Sequence, residues 1–489
     1  MSVNTLMQLV LVLPLCLVPL ILLLRNHPNL REGASILFGV LQFALVWQIF
    51  GHFENGESLT LTWFTIFPGL PVAFEVEPLG LIFALVASSL WPLTTLYAIG
   101  YMRSHNEQNQ TRFYTFFAIA IFAVMGIAFA QNLMTLFIFY EVLTLSTFPL
   151  VTHAGTENAK KGGRIYLGIL LTTSILFFLL AVIGTWVTAG TLDFKLNGIF
   201  ASDSSNSTLG ILLALFIFGI GKAAIMPFHK WLPSAMVAPT PVSSLLHAVA
   251  VVKAGVFTVI KVCVYTFGIE RLGELPSTEF LAYLAGFTIL ASSIIALRQN
   301  NLKARLAYST VSQLGYVTMG ALLATPLGII GSSMHITMHA FSKITLFFCA
   351  GAIMVAAHKK DVDQMQGLGK QMPLTFIAFA IASLGIIGLP PAGGTWSKWF
   401  LLMGTVESEY WILMVVLMLS SLLSIAYLLT IPLRAFFPKE KPQEELTLPA
   451  GKIDLAPTAS LVALTLTAIA CIFLFWYADA IYHLASKLV

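Results

Sequence analysis

The chain is 489 residues long, 58% hydrophobic and only 10% charged, with a formal net charge of +4 and a mean hydropathy of +0.87. Soluble domains carry about 25% charged residues, so the composition excludes a soluble enzyme, and no basic run of the kind that binds nucleic acid is present. What remains is a polytopic, all-α membrane protein occupying residues 1–489 as one integral membrane unit.

A helix needs about 20 apolar residues to cross the hydrocarbon core. In chain order, about fourteen runs qualify: 6–24, 33–51, 78–102, 113–130, 132–152, 165–188, 209–228, 240–264, 279–297, 304–325, 328–355, 373–404, 409–434 and 457–483. The first lacks a basic n-region and an A-x-A cleavage signal, and reads as a retained helix rather than a signal peptide. With the N-terminus outside, 18 Lys and Arg fall in inner loops and only Lys195, Arg271 and Lys487 fall outside. That asymmetry is the positive-inside pattern, and it predicts that both termini lie outside. The longest polar connections, 51–77, 188–208 and 438–455, read as loops without a core of their own, the last with room for a short amphipathic piece. Cys16, Cys263, Cys349 and Cys471 sit singly in apolar runs, so no disulfide, cluster, metal or other cofactor is expected, only small buried side chains.

The remaining basic residues lie inside spans. Residues 216–257, FIFGIGKAAIMPFHKWLPSAMVAPTPVSSLLHAVAVVKAGVF, carry Lys222, His247 and Lys253 among Gly221, Pro227 and further glycines and prolines. A lysine near mid-membrane costs roughly 2.5–3.5 kcal/mol, which makes it a functional hypothesis by default. Broken helices free carbonyls that only protein or water can satisfy. A second break follows at Pro390 and Pro391, with Lys398 where the helix resumes. The two breaks are five spans apart, so spans four to eight (about 113–264) and nine to thirteen (about 279–434) read as two inverted five-helix repeats, each with its fourth helix broken. Paired broken helices in inverted repeats mark translocation sites.

Glu141 lies near the middle of span five, in FIFYEVLTLSTFPLV. Burial favours the neutral forms of Glu141 and Lys222, whereas the charge of each favours ionisation of the other, and that opposition is the basis of a proton switch. His335, His339 and Lys343 recur at i, i+4 and i+8 on one face of span eleven, without a third ligand for a metal, and read as a polar stripe along a hydrated relay. His229 and Lys230 look juxtamembrane, and Lys261 is expected to snorkel at the outer end of span eight.

The motifs YEVLTLS, GKAAIMPFHKWLPSAMVAPTPVSSLLHAVAVVKAGVF, LKARLAYSTVSQLGY, HITMHAFSKITLFFCAG and GIIGLPPAGGTWSKW resemble those of the antiporter-like subunit family. Respiratory complex I, membrane-bound hydrogenases and Mrp-type cation/proton antiporters share that family, and the resemblance covers nearly the whole chain. It implies a proton relay in which Glu141 and Lys222 form a modulating pair, Lys253 with His247, His335, His339 and Lys343 connects, and Lys398 ends the path. A lysine in span twelve, a lysine at position 253 and the chain length look most similar to the D-type Mrp subunit. At the start of span three the family usually has an aspartate, where this chain has Glu77 in FEVEPLG. The resemblance implies an ion-transport subunit, not an enzyme, in a bacterial inner membrane. Its partners would be a homologous A-type subunit and small membrane subunits, its ions protons with Na+ or K+. A proton-pumping arm of a complex I type NADH:quinone oxidoreductase or a hydrogenase stays open beside it, as do a quinone-binding redox subunit and a proton channel feeding inorganic-carbon uptake.

Overall fold

The computed structural model describes residues 3–438 and 453–489. The amphipathic piece expected near 438–455 therefore lies outside the described residues. In order, the helices are α1 (Val3–Leu23), α2 (Pro28–Glu54), α3 (Pro78–Ser104), α4 (Gln110–Ala128), α5 (Leu133–Val151), α6 (Glu157–Ala189), α7 (Asn206–Gly219) and α8 (Thr240–Phe267). They continue with α9 (Pro276–Arg298), α10 (Leu302–Leu322), α11 (Pro326–Ala357), α12 (Pro373–Ile387), α13 (Gly394–Glu407), α14 (Trp411–Phe436), α15 (Thr458–Trp476) and α16 (Ala478–Ser486). Eleven are long and apolar enough to cross a membrane alone. Counting α10, α7 with its broken continuation, and α12 with α13 as one interrupted span gives fourteen passes.

Sequence explains most starts. Asn132, Thr156, Asn301 and Thr325 each accept a backbone N–H three residues on, capping α5, α6, α10 and α11. Pro28, Pro78, Pro276, Pro326 and Pro373 occupy first turns, where a missing N–H costs nothing. The connection 51–77, read as a loop, instead holds an antiparallel hairpin of β1 (Thr60–Phe67) and β2 (Leu70–Glu75). Its β-branched and aromatic residues carry the strand propensity, and Trp63 and Phe74 pack on Phe139 of α5.

The layering follows hydrophobicity. The spanning window of α8 is wholly buried although it carries His247, Lys253 and Lys261, whereas those of α1, α2, α6, α14 and α15 are 28–39% buried. Leu22, Trp47, Val187, Ile211, Phe287, Leu422 and Ile469 stand exposed on outer helices, as lipid-facing side chains should. Each set of five passes, α4–α8 and α9–α14, opens with two helices packed on each other and breaks at its fourth pass.

Candidate functional site

In the first break α7 stops at Gly219, a 3-10 turn spans Gly221–Ala223, and Ala224 adopts a left-handed conformation. Pro227 follows on the exposed side, and the chain becomes helical again only at Trp231. The fully buried Trp231 donates its indole N–H at 2.9 Å to the carbonyl of Gly221, which also accepts the Ala224 N–H at 3.0 Å. α8 crosses against this turn. A Cβ on Gly255 would lie 2.4 Å from the Ala223 nitrogen, so only glycine allows the approach.

Lys222 at the break is wholly buried and reaches into α5. Its Nζ donates to the Tyr140 carbonyl at 2.9 Å and to Thr144 Oγ1 at 2.5 Å, above the Tyr140 ring at 3.1 Å from its centre. Its backbone N–H donates to the Tyr140 hydroxyl at 3.1 Å. Glu141 follows Tyr140 directly, and both its carboxylate oxygens are covered and without a hydrogen bond among the described residues. The expected partners thus share a neighbourhood but make no ion pair among the described residues; neutral oxygens hold the ammonium instead.

Lys253 in α8 contacts His339 Nδ1 of α11, and His339 Nε2 is buried without a hydrogen-bond partner among the described residues. His335 stacks on His339 at 5.7 Å between ring centres, and its own nitrogens meet Ser397 Oγ at 2.9 Å and Gln313 Oε1 at 3.1 Å. Tyr316 stacks on the other face of the sequence of rings, 5.9 Å from His335. Lys398 sits 4.4 Å over the Tyr316 ring and donates to Ser421 Oγ at 2.9 Å and to the Ile387 carbonyl at 3.2 Å. Ile387 is the last residue of α12 before Pro390 and Pro391, so the second break offers a freed carbonyl to a lysine. Gly388 there has φ +90, and a Cβ on it would meet the Lys398 side chain at 2.6 Å. Lys343, two turns beyond His335, donates to Ser309 Oγ at 2.7 Å and to the Leu306 carbonyl at 3.3 Å.

His247 lies in a π-helical turn, Leu245–Val249, against Phe347, and neither ring nitrogen has a hydrogen-bond partner among the described residues. Such turns recur at functional sites because they displace side chains from helical register. A cleft of about 320 Å³ opens near the start of α8, lined by His105, Glu107, Thr240, Lys303 and Lys360. It brings solvent-sized space within two helical turns of His247.

Lys222, Lys253, Lys343 and Lys398 share one property: among the described residues none has a carboxylate within 4.0 Å. Their hydrogen bonds go to carbonyls, hydroxyls or imidazole instead. Lys261 is the exception and corrects the expectation of snorkelling. It is 1% exposed, bonds Glu77 Oε1 at 2.8 Å, and lies within 6 Å of the rings of Phe194, Phe257 and Tyr265. Glu77 also caps α3 by accepting the Gly80 N–H at 3.0 Å. Sequence reasoning passed over Tyr140, Thr144, Trp231, Gln313, Tyr316 and Ser397. They lie inside or beside the motifs that were noted, but neutral polar side chains carry no insertion penalty that would single them out.

Residues 130–424 match the family described as NADH:quinone oxidoreductase/Mrp antiporter, TM. The chain is 32% identical over 366 residues to NADH-quinone oxidoreductase subunit N of Desulforudis audaxviator, covering 74% of this chain and 72% of that protein. It is 30% identical over 441 residues to subunit L of Campylobacter jejuni, covering 89% and 71% respectively. Against NAD(P)H-quinone oxidoreductase chain 5 of Synechocystis it is 31% identical over 384 residues, 75% of this chain but only 54% of the relative's length. Among solved structures, it superposes on a chain of an archaeal membrane-bound sulfane sulfur reductase with a TM-score of 0.84 at 22% identity, covering 98% and 96% of the two chains. On a chain of the Mrp complex from Dietzia the TM-score is 0.80 at 20% identity, covering 99% and 96%. At such identities these two likenesses speak to fold.

Proposed function

The chain belongs to the NADH:quinone oxidoreductase/Mrp antiporter transmembrane family, and on that premise we propose that it is a proton-translocating subunit of a multisubunit membrane complex. The observation that carries this reading is a set of four lysines without carboxylate partners among the described residues, Lys222, Lys253 and Lys343 buried and Lys398 half-buried, with His335 and His339 between two of them. A static fold has no use for lysines buried without an acid, since hydrocarbon side chains of similar volume would be more stable.

In this mechanism Glu141 acts by its charge. At an effective dielectric of about 20, a unit charge a little beyond contact distance is worth about 2–3 kcal/mol. Gain or loss of a proton at Glu141 therefore shifts how readily Lys222 releases its own. Tyr140 links the two, its carbonyl holding Lys222 while its neighbour in sequence is the acid. The proton then passes by Lys253, His339 and His335 toward Lys398, with His247 facing the cleft side and Lys343 alongside. A carbonyl of α5 orients Lys222, and the carbonyl of Ile387 at the second break orients Lys398.

The host we favour is an Mrp-type Na+/H+ or K+/H+ antiporter of a bacterial inner membrane, with this chain as its D-type subunit beside an A-type homologue and small membrane subunits. Both termini would lie outside. The names of the relatives favour a second host, the membrane arm of an NADH:quinone oxidoreductase. Purification of the intact complex decides between them: flavin and iron–sulfur absorbance would select the redox host. For transport itself, Lys222→Ala should abolish proton movement in everted vesicles while leaving the complex assembled, and unchanged pH-gradient coupling would sink the proposal.

A further inference from the structure

Each break is followed by a tryptophan whose indole N–H is bonded to a carbonyl, but the two carbonyls belong to different parts of the molecule. Trp231 donates to Gly221 of its own broken pass. Trp396, in the first turn of α13, donates at 2.9 Å to Phe475 in the last turn of α15, and its ring stacks on the Phe475 ring at 5.7 Å between centres. Carbonyls of a last turn have no partner within their own helix. One turn before Trp396, the Gly393 N–H donates to the Cys471 carbonyl of α15 at 3.0 Å. α15 lies outside both five-pass repeats and is set against α3, where Ser460 donates to the Tyr97 carbonyl at 3.2 Å and a Cβ on Gly100 would meet the Ser460 nitrogen at 2.7 Å.

α13 itself opens at Gly393 without a capping side chain. We propose that Trp396 is a positioning residue, whose indole N–H ties the first turn of α13 to α15 and so sets where Ser397 and Lys398 stand. The proposal rests on the transport reading above.

Ser397, next in sequence, meets His335 Nδ1 at 2.9 Å, and Lys398 reaches Ser421 Oγ at 2.9 Å and the Ile387 carbonyl at 3.2 Å. Successive residues of an α-helix are turned by about 100° from one another, so a rotation of this turn swings both side chains off their partners. A misplacement of about 1 Å can cost about a hundredfold in rate. A tryptophan that only faces lipid looks different. Trp399, in the same helix, is 53% exposed and makes no hydrogen bond among the described residues. Trp396 is 39% exposed, yet its N–H is bonded to protein, where hydrocarbon would offer that donor no acceptor.

The test uses the full complex with Trp396→Phe, which keeps a ring and removes the N–H, and with Phe475→Leu, which removes the stacked ring and keeps the carbonyl. Trp399→Phe and Lys253→Ala are the controls. Assembly is checked on native gels and by thermal melting, and cation-driven or NADH-driven proton movement is followed against pH in native membrane vesicles. Trp396→Phe should assemble with the parental melting point, slow proton movement by about tenfold and displace the pH–rate profile by about half a unit or more. Phe475→Leu and Trp399→Phe should stay within about twofold of the parent. A parental rate and profile in Trp396→Phe, with Lys253→Ala inactive, would overturn the positioning role and leave the transport reading standing. A slower Trp396→Phe with the parental pH profile, or an equal loss in Phe475→Leu, would overturn it too, since packing rather than the N–H would then be what matters. A parental rate in Lys253→Ala would remove the transport reading, and the positioning role with it.

Discussion

Lys261 and Glu77 show how differently this bundle treats a lysine that is paired. Their 2.8 Å ion pair is enclosed by Phe194, Phe257 and Tyr265. Removing one partner strands a buried charge, so Lys261→Met should destabilise the complex by roughly 3 kcal/mol. The double substitution Lys261→Met with Glu77→Gln should recover most of that loss, because a glutamine oxygen can still cap Gly80. Thermal melting of the purified complex checks both, and a parental melting point for Lys261→Met would contradict the pairing. Gly255→Ala makes a second prediction at this scale. Its Cβ would meet backbone atoms of the Lys222 turn at 2.4 Å, which cannot move aside as a flexible side chain could. A loss of about 1–3 kcal/mol, or failed assembly, is expected. The charged members of the site were legible in the sequence because each is costly in a membrane. Lys261 was misjudged for the same reason, since its partner Glu77 is 184 residues away and spacing cannot reveal such a contact.

At the scale of elements, the broken helices were legible from Gly and Pro clusters, and the structure places a lysine against a freed or shared carbonyl at each. The hairpin of β1 and β2 was not, because its alternation is blurred by exposed aromatic residues on both faces, Phe64 and Phe67 among them. The connection after α5 carries a pH dependence of its own. His153 lies beyond the spans, with its Nε2 at 2.9 Å from the Gln108 carbonyl and its own carbonyl accepting from Arg112. Burial first, and then the Arg112 charge, hold His153 below the usual histidine range. The unfolded chain therefore takes up this proton before the folded one does. The corresponding stability is present above about pH 6.5 and is lost as the pH falls below it. A His153→Gln complex should show a flatter decline in melting temperature between about pH 6.5 and pH 5 than the parent. Identical pH profiles would contradict the assignment.

For the whole molecule, the count of fourteen passes and the family followed from hydropathy and motifs, whereas the connectivity of the relay did not. Ser293, Ser309, Ser312, Ser420 and Tyr427 are unremarkable one by one; only the packing of α9, α10 and α14 gathers Ser293, Ser312 and Ser420 into one cluster and brings Tyr427 onto Ser309. The account stands on one claim, that the buried lysines serve by exchanging protons and not by supplying fixed positive charge. Arginine separates the two roles, because it keeps the charge and does not give up its proton in proteins. The most direct measurement is therefore proton movement in vesicles holding the assembled complex with Lys222→Arg. The account predicts that this variant is as inactive as Lys222→Ala; transport at the parental rate by Lys222→Arg would contradict it.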